Sequence, residues 1–345
     1  MKLLLIVSLV VCSTFGFASA QTPALNVRLV TDEAEAVLAI LAKRKVNQPI
    51  NDQDWQRLFK SDGYTRLKQR EAAMQRSFDD ADFKTFVLSE PLAERAPALE
   101  QTFEKWKRAD ITHAARLALD YLPAGAQIKA KIYPVIKPRE NSFVFDTEND
   151  PAIFLYLDPQ KTREQFENML AHELHHIGYA GSCPRKEVGE DLDKLPAHVK
   201  KALTWTSAFG EGFAMLAAAG GPDVHPHAIS NPEDRTRWDK DVANFNDDLK
   251  KVEKFLSDVL ENKLTDEQIR QTGYSFFGTQ QGPWYTVGWK MSVLIEKTYG
   301  RAKLIESFCD QRKLLFTYNQ AAEKHNRTSR ERLALWSNSV VNGLR

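Results

Sequence analysis

The stretch TREQFENMLAHELHHIG, residues 162–178, predicts a long amphipathic helix at the centre of the fold. Thr162 and Gln165 have the spacing of a capping box, in which two side chains satisfy backbone N–H groups at the helix start. At about 100° per residue, the apolar side chains fall in one stripe that faces the core. The stripe consists of Phe166, Leu170, Leu174 and Ile177. Gly178 or Gly181 is expected to end the helix.

A second face of this helix carries a metal-binding pattern, HELHH at residues 172–176. His172 and His176 lie only about 40° apart around the helix axis, so both imidazoles can bind one ion. Zinc binds imidazole nitrogens, and a catalytic zinc takes a third protein ligand and leaves its fourth position to water. Glu173 is expected to be the general base that accepts a proton from that water. His175 points away from the pair and is expected to be a neighbour rather than a ligand.

The alternative for HELHH is the polar surface of an ordinary helix. In a chain with eight histidines, H-E-x-x-H arises by chance on the order of one time in a hundred. Downstream, FGEGFAML at residues 209–216 places Glu211 between Gly210 and Gly212, in a predicted helical stretch that begins near His198. Each glycine costs a helix roughly 1 kcal/mol relative to alanine, which indicates a close approach by another backbone. We expect the HELHH helix to make this approach, and this context favours the metal site over a solvated glutamate.

The first residues of the chain, MKLLLIVSLVVCSTFGFASAQ, have the pattern of a secretory signal peptide. Lys2 supplies a positive charge, residues 3–11 are almost purely apolar, and small residues precede a cleavage site after Ala20. We therefore interpret residues 1–20 as a signal peptide and expect an exported protein, either periplasmic or extracellular.

Two alternatives to cleavage are less well supported by the same residues. An uncleaved membrane anchor would need a longer apolar run, and Ser13 and Thr14 interrupt this one. A lipoprotein would need Cys12 to be acylated, but Val11 precedes it where a small residue is usual. No stable membrane association is expected after cleavage.

The order of predicted elements indicates an α+β fold that is mostly helical. Residues 27–120 place apolar residues at helical spacing, and helices are again predicted from Pro159 to the C-terminus. Between them lie three predicted strands, at residues 127–137, 141–146 and 152–158. We expect a small sheet packed on the central zinc-binding helix, with a helical region before it.

This order also predicts three parts of the chain. They are the signal peptide at residues 1–20, a helical N-terminal region at residues 21–125, and a zinc metallopeptidase-like catalytic domain at residues 126–345. The boundary after residue 125 is placed where Pro123, Ala124 and Gly125 end the helical pattern.

Composition limits the classes of partner. Basic and acidic residues number 47 and 46, and no basic run dominates, so neither nucleic acid nor a membrane surface is expected to bind. Removal of Cys12 with the signal peptide would leave Cys183 and Cys309, which can pair in an oxidising compartment if the fold brings them together. The sequence leaves the oligomeric state open.

HELHH followed by EGFA resembles the gluzincin clan of zinc metallopeptidases, whose pattern is H-E-x-x-H and a downstream helix-borne glutamate. With the signal peptide, HELHHIG and FGEGFAML are most similar to a poorly characterised bacterial family of zinc-dependent peptidases. The resemblance covers about residues 150–300. It implies that His172, His176 and Glu211 bind one Zn²⁺ per chain, that Glu173 is the general base, and that the substrate is a peptide or protein.

GPWYTVGWKM, residues 282–291, suggests a further catalytic residue. Aminopeptidase-like gluzincins often carry Tyr-x-x-Gly after the glutamate ligand, and Tyr285 with Gly288 matches it. The resemblance implies that the Tyr285 hydroxyl stabilises the oxyanion of the tetrahedral intermediate. Other candidates for this role are Tyr274, His225 and His227. No G-x-M-E-N type element precedes the helix, so specificity for a free amino terminus is not implied.

The sequence thus predicts an exported zinc metallopeptidase in which Glu173 activates water and Tyr285 stabilises the oxyanion. Strand 152–158 is expected at a sheet edge, where it can bind an extended peptide by strand addition. Two alternatives remain open. One is a zinc hydrolase of a non-peptide amide or ester, and the other is a zinc-binding protein without catalytic activity.

Overall fold

A computed structural model describes residues 24–183 and 194–345. The predicted signal peptide, with Cys12 and the cleavage site at Ala20, lies outside the described residues. The described chain is mostly helical with one small mixed sheet, which confirms the predicted fold class. None of the helices in the described residues is long and apolar enough to span a bilayer.

The sheet has four strands in the order β1-β2-β4-β3. The strands are β1 (Leu25–Leu29), β2 (Ile128–Val135), β3 (Phe143–Phe145) and β4 (Ala152–Tyr156). Strands β1 and β4 both pair with β2 in parallel, and β3 runs antiparallel to β4. The three strands predicted from the sequence are therefore confirmed, with shorter bounds.

Six helices lie between β1 and β2, and ten follow β4 in the described residues. The first six are α1 (Asp32–Lys45), α2 (Asp52–Phe59), α3 (Asp62–Ala73), α4 (Asp80–Val87), α5 (Glu90–Trp106) and α6 (Ile111–Leu119). The next five are α7 (Arg163–Ser182), α8 (Ala197–Thr206), α9 (Gly210–Ala219), α10 (Pro232–Ala243) and α11 (Phe245–Leu260). The last five are α12 (Asp266–Ser275), α13 (Pro283–Tyr299), α14 (Arg301–Cys309), α15 (Gln311–Thr328) and α16 (Asn338–Gly343). A short 3-10 turn, Ser207–Phe209, joins α8 to α9.

The prediction of a helix from residue 27 is wrong at its beginning. Residues Leu25–Leu29 form β1 instead, and the helix begins at Asp32. The sequence LNVRL alternates apolar and polar residues, which is the period of a half-buried strand, and pairing with β2 gives its backbone groups partners. Thus the N-terminal part of the chain contributes a strand to the same sheet as residues 128–156.

The prediction that strand 152–158 lies at a sheet edge is also wrong. Strand β4 pairs with β2 on one side and with β3 on the other, so both rows of its backbone groups are used. An added peptide strand has no free edge to bind there. The edges of the described sheet are β1 and β3.

The helix predicted around HELHH is α7, and its beginning is as expected. Thr162 is the N-cap, and its side chain and that of Gln165 form the predicted capping box. The four residues of the apolar stripe are at most 4% exposed. Neither glycine ends the helix, because α7 continues to Ser182. Gly178 instead lies inside α7 against Leu122, where a Cβ would come within 2.3 Å of a methyl carbon.

Helix α7 connects the two large hydrophobic cores of the molecule. Its apolar stripe lies in the first core, which also contains the sheet and the helices from α1 to α6. The second core is formed by the helices after residue 194, together with Tyr121. Because α7 packs against α6, β2 and α9, its polar face is held at the junction with the C-terminal helices.

Candidate metal centre

Three potential metal ligands converge where α7 meets α9. The Nε2 atoms of His172 and His176 are 3.0 Å apart, and the Oε2 atom of Glu211 lies 3.1 Å from the first and 3.2 Å from the second. In the described residues, these three form the one group of histidine, cysteine and acidic side chains close enough to hold an ion together.

The dimensions of this triangle fit zinc. Ligand atoms at about 2.0–2.1 Å from a tetrahedral ion lie about 3.3 Å from one another, slightly more than the observed separations. Two imidazoles and one carboxylate are also a donor set that zinc uses in catalytic sites, where the fourth position stays open. His172, His176 and Glu211 would therefore hold the ion with little rearrangement.

A close helix crossing places Glu211 at this point. A Cβ on Gly212 would lie 2.0 Å from the backbone nitrogen of Trp289, and one on Gly288 would lie 2.5 Å from the carbonyl oxygen of Phe209. Glycine is therefore required on both helices for α9 and α13 to approach this closely. The sequence correctly indicated a close backbone approach at Gly212, but the approaching helix is α13 rather than α7. Gly210 faces open space.

The charges at the centre favour an ionised carboxylate. Burial opposes ionisation of Glu211, but His176 and His172 outweigh it and hold the pKa of this carboxyl well below its usual range. Burial likewise favours the neutral form of His176, yet the adjacent Glu211 carboxylate raises the pKa of this imidazole. The centre therefore presents a negative charge between two imidazoles, which suits a divalent cation.

Glu173 and Tyr285 lie beside the three ligand atoms. Glu173 makes no hydrogen bond or ion pair within the described residues. Its negative charge contributes to the raised pKa of His176 and of Tyr285. Tyr285 projects from α13, and its ring is 6.3 Å from that of His172. Burial, followed by the negative charge of the nearby Glu211, raises the pKa of Tyr285. The phenol therefore stays protonated and can act as a donor.

The other candidates for the role of Tyr285 have different surroundings. Tyr274 is 65% exposed and packs beside Trp205. The Nε2 atom of His225 is 2.8 Å from Asp239, so this ring is engaged at the surface. His227 is buried and forms a hydrogen bond to Gln281. Of the four candidates, Tyr285 is the one whose ring lies against a histidine of the triangle.

His175 lies in the core and is not among the three converging ligands. It is 1% exposed, and its ring makes an edge contact with Phe213 at 4.6 Å. Neither ring nitrogen has a hydrogen-bond partner within the described residues. Burial, followed by the neighbouring histidines, holds the pKa of His175 well below its usual range. The prediction that His175 points away from the pair is confirmed.

A groove of about 320 Å³ begins at the metal centre and follows α7 towards its N-terminus. Its walls include Lys161, Gln165, His172, Glu173, Arg237 and Tyr285. Lys161 and Arg237 were not predicted from the sequence, because a single polar residue on a distant segment carries no spacing pattern that marks it. Only the packing of α7 against the segments around α10 and α13 brings these side chains to one groove.

A disulfide bond joins Cys183 to Cys309, so the predicted pairing is confirmed. Cys183 directly follows α7, and Cys309 is the last residue of α14. Nearby, the Tyr179 hydroxyl donates a hydrogen bond to the carbonyl oxygen of Phe308 at 2.5 Å. Both contacts attach the C-terminal end of the histidine-bearing helix to the second core.

Comparison with known protein families assigns the chain to a family. The model of a family described as "Putative zinc dependent peptidase (DUF5700)" matches residues 55–327, more than three quarters of the chain. The match begins within α2 and includes all residues of the metal centre. Neither a curated protein nor a solved structure matches the chain.

Proposed function

The chain belongs to this family of zinc-dependent peptidases, and we propose from that premise that it is an exported, gluzincin-type zinc metallopeptidase that hydrolyses peptide bonds. The observation that carries the proposal is the convergence of His172, His176 and Glu211 within 3.2 Å of one another, at one end of a groove that also exposes Glu173.

Each polar residue at this end of the groove has a distinct role in the proposed reaction. Zinc held by the three ligands would supply a Lewis acid that polarises the scissile carbonyl and lowers the pKa of water. Glu173, whose carboxylate makes no hydrogen bond or ion pair with residues 24–183 or 194–345, accepts a proton as the water oxygen bonds to the carbonyl carbon. It then passes that proton to the amine nitrogen as the C–N bond breaks.

Tyr285 is proposed to stabilise the oxyanion. Its hydroxyl is protonated because burial and the Glu211 carboxylate raise its pKa, and it lines the same groove as Glu173. A donor fixed in a partly buried site stabilises a developing negative charge better than water does, because it needs no reorientation during the reaction.

Export is supported by two features of the chain. The pattern of residues 1–20 is that of a cleaved signal peptide. The Cys183–Cys309 disulfide suits an oxidising compartment, since such bonds are rare in cytosolic proteins. The N-terminal sequence of protein recovered from the periplasm or the medium should begin at Gln21. Recovery of the intact Met1 form from the cytoplasm alone would contradict export.

The enzymatic proposal is tested on the purified mature protein. We expect one zinc per chain by elemental analysis and cleavage of an unbiased peptide library, lost on chelation and restored by added zinc. Protein that holds zinc and cleaves esters or non-peptide amides instead would be the hydrolase alternative. Zinc-loaded protein that cleaves neither class of substrate would be a zinc-binding protein without catalytic activity.

A further inference from the structure

The groove has a direction that is set by α7. His172, Met169, Gln165 and Lys161 follow one another at intervals of three or four residues, so they lie along one side of the helix and its N-terminal extension. At about 1.5 Å per residue, the distance from His172 to the position of Lys161 is about 16 Å along the axis. An extended peptide advances about 3.3 Å per residue, so the groove accommodates about five residues between the metal centre and Lys161.

Most polar side chains along the walls already make hydrogen bonds within the protein. These side chains are Gln165, Asn168, His227 and Gln281. For example, the amide of Gln165 donates to the carbonyl oxygen of Ile229 at 3.1 Å. The imidazole of His227 lies 2.7 Å from the Gln281 side chain. These groups shape the walls and are not left free to bind a substrate.

The cations at the far end of the groove are different. The ammonium group of Lys161 has no ion pair or hydrogen bond with any residue in 24–183 or 194–345. Arg237 donates one hydrogen bond to Asp234 at 2.8 Å. The other oxygen of Asp234 accepts a hydrogen bond from Asn231 at 2.9 Å. A guanidinium group has five N–H donors, so Arg237 keeps donors for a further acceptor.

The far end of the groove is therefore electropositive. Lys161 and Arg237 carry two positive charges, and Asp234, which is already satisfied by hydrogen bonds, carries one negative charge. Glu173 lies at the opposite end of the groove, beside the metal ligands. This separation places a site for an anion about five residues from the bond that would be cleaved.

We propose that Lys161 and Arg237 bind a carboxylate of the substrate, about five residues from the scissile bond. The proposal rests on the proposed function, because a peptide in the groove is what places this carboxylate. The carboxylate belongs either to an aspartate or glutamate side chain or to the free C-terminus of the substrate. Both present the same planar anion, which a guanidinium and an ammonium group recognise by charge-assisted hydrogen bonds.

The test measures binding separately from catalysis. Fluorescent peptides are titrated against zinc-loaded Glu173→Gln protein, which is expected to bind without turnover. One pair of peptides, blocked at both ends, differs only in Glu or Gln at the fifth residue from the cleavage site mapped with wild-type protein. A second pair is neutral and differs only in a free or an amidated C-terminus at that distance. A charge-assisted contact should improve affinity by about tenfold or more in at least one pair, and the pair that responds identifies the source.

The same titrations on variants of Lys161 assign the effect to the groove. In the Glu173→Gln background, Lys161→Met should remove most of the higher affinity for the peptide that carries the carboxylate. Lys161→Glu should reverse the preference, so that a lysine-containing peptide binds more tightly. Lys45→Met, at an exposed lysine outside the groove, should leave it unchanged.

Two results separate the failure of this inference from the failure of the proposed function. Equal affinity for the acidic and neutral member of both pairs, in protein that holds zinc, overturns the carboxylate site whether or not wild-type protein cleaves peptides. A preference that depends on Lys161, in protein whose wild type cleaves no peptide, supports the carboxylate site and counts against the peptidase.

Discussion

Gly212 of α9 lies against Gly288 of α13 so closely that a Cβ on Gly212 would come within 2.4 Å of the carbonyl carbon of Gly288. The residues next to this contact in the site are Glu211 on α9 and Tyr285 on α13. A movement of either helix would change the positions of both side chains. This glycine contact therefore fixes the distance between Glu211, a candidate metal ligand, and Tyr285, a candidate oxyanion donor.

We expect Gly212→Ala to destabilise the fold and to disturb the metal centre. The added Cβ meets backbone atoms of α13, which cannot rotate away, so the helices must separate. Overpacking of this kind costs about 1–3 kcal/mol or more. Denaturant unfolding and zinc content should both be measured.

Gly210→Ala is the matched control, because nothing lies within 4 Å of its Cβ. It should stabilise the protein by up to about 1 kcal/mol. Equal stability of the two variants would contradict the role of the crossing.

Alanine at any of the three converging residues should remove most of the zinc. His172, His176 and Glu211 would each supply one of three protein ligands, so each loss leaves a two-ligand site. His225→Ala is the control, because this histidine pairs with Asp239. Zinc per chain is measured by elemental analysis after dialysis against a weak chelator. Full zinc in Glu211→Ala would remove Glu211 from the ligand set.

Glu173→Gln should separate catalysis from metal binding. Glutamine keeps the size of the side chain and removes the base, and Glu173 is not one of the three converging ligands. The variant should retain zinc and the fold while losing at least about 10² in kcat. Peptide affinity should change little, because the proton transfer is realised chiefly in the transition state. Turnover at the wild-type rate by zinc-loaded Glu173→Gln would exclude the proposed mechanism.

Tyr285→Phe should lower kcat and leave the zinc content unchanged. The substitution removes one hydrogen-bond donor, and loss of an oxyanion donor costs about 10²–10³ in rate. KM should change less than kcat, because the interaction forms as the oxyanion develops. Tyr274→Phe is the matched control, since this tyrosine is 65% exposed. If the two variants have the same kcat as wild type, another donor stabilises the oxyanion.

Glu33 should make stability depend on pH. It is 1% exposed on α1, and one of its carboxyl oxygens accepts a hydrogen bond from the backbone of Ile136. Burial raises its pKa from 4.5 to about 8. Below pH 4.5 the carboxyl is protonated in the folded and unfolded states, so its contribution to stability is fully present. As the pH rises towards 8, the unfolded chain loses the proton and the folded chain keeps it, so that contribution is lost.

Glu33→Gln therefore should match wild type near pH 4.5 and exceed its stability at pH 9 by up to about 5 kcal/mol. Glutamine can still accept the hydrogen bond from Ile136 and has no proton to lose. Denaturant unfolding at several pH values gives the comparison, with Glu100→Gln, an exposed residue, as control. If the free energies of unfolding of wild type and Glu33→Gln stay parallel from pH 4.5 to 9, Glu33 is not the cause of the pH dependence of stability.

The sequence by itself determined the features of α7. The Thr162 cap, the buried apolar stripe and the placement of His172 and His176 on one face were all predicted, and the structure agrees with each. They are predictable because the spacing of residues along a helix is fixed by local hydrogen bonds. Of the two glycines around Glu211, Gly212 likewise marked a close contact, whereas Gly210 faces open space.

Only the tertiary structure decided which distant segments of the chain these local features contact. Gly212 contacts α13 rather than α7, strand 152–156 is internal, and residues 25–29 join the sheet from the far end of the chain. Lys161 and Arg237, which are 76 positions apart, reach one groove although neither stands out in the sequence. Strand order and helix crossings depend on packing between distant segments, and that packing is settled by the burial of whole surfaces rather than by the spacing of residues within one element.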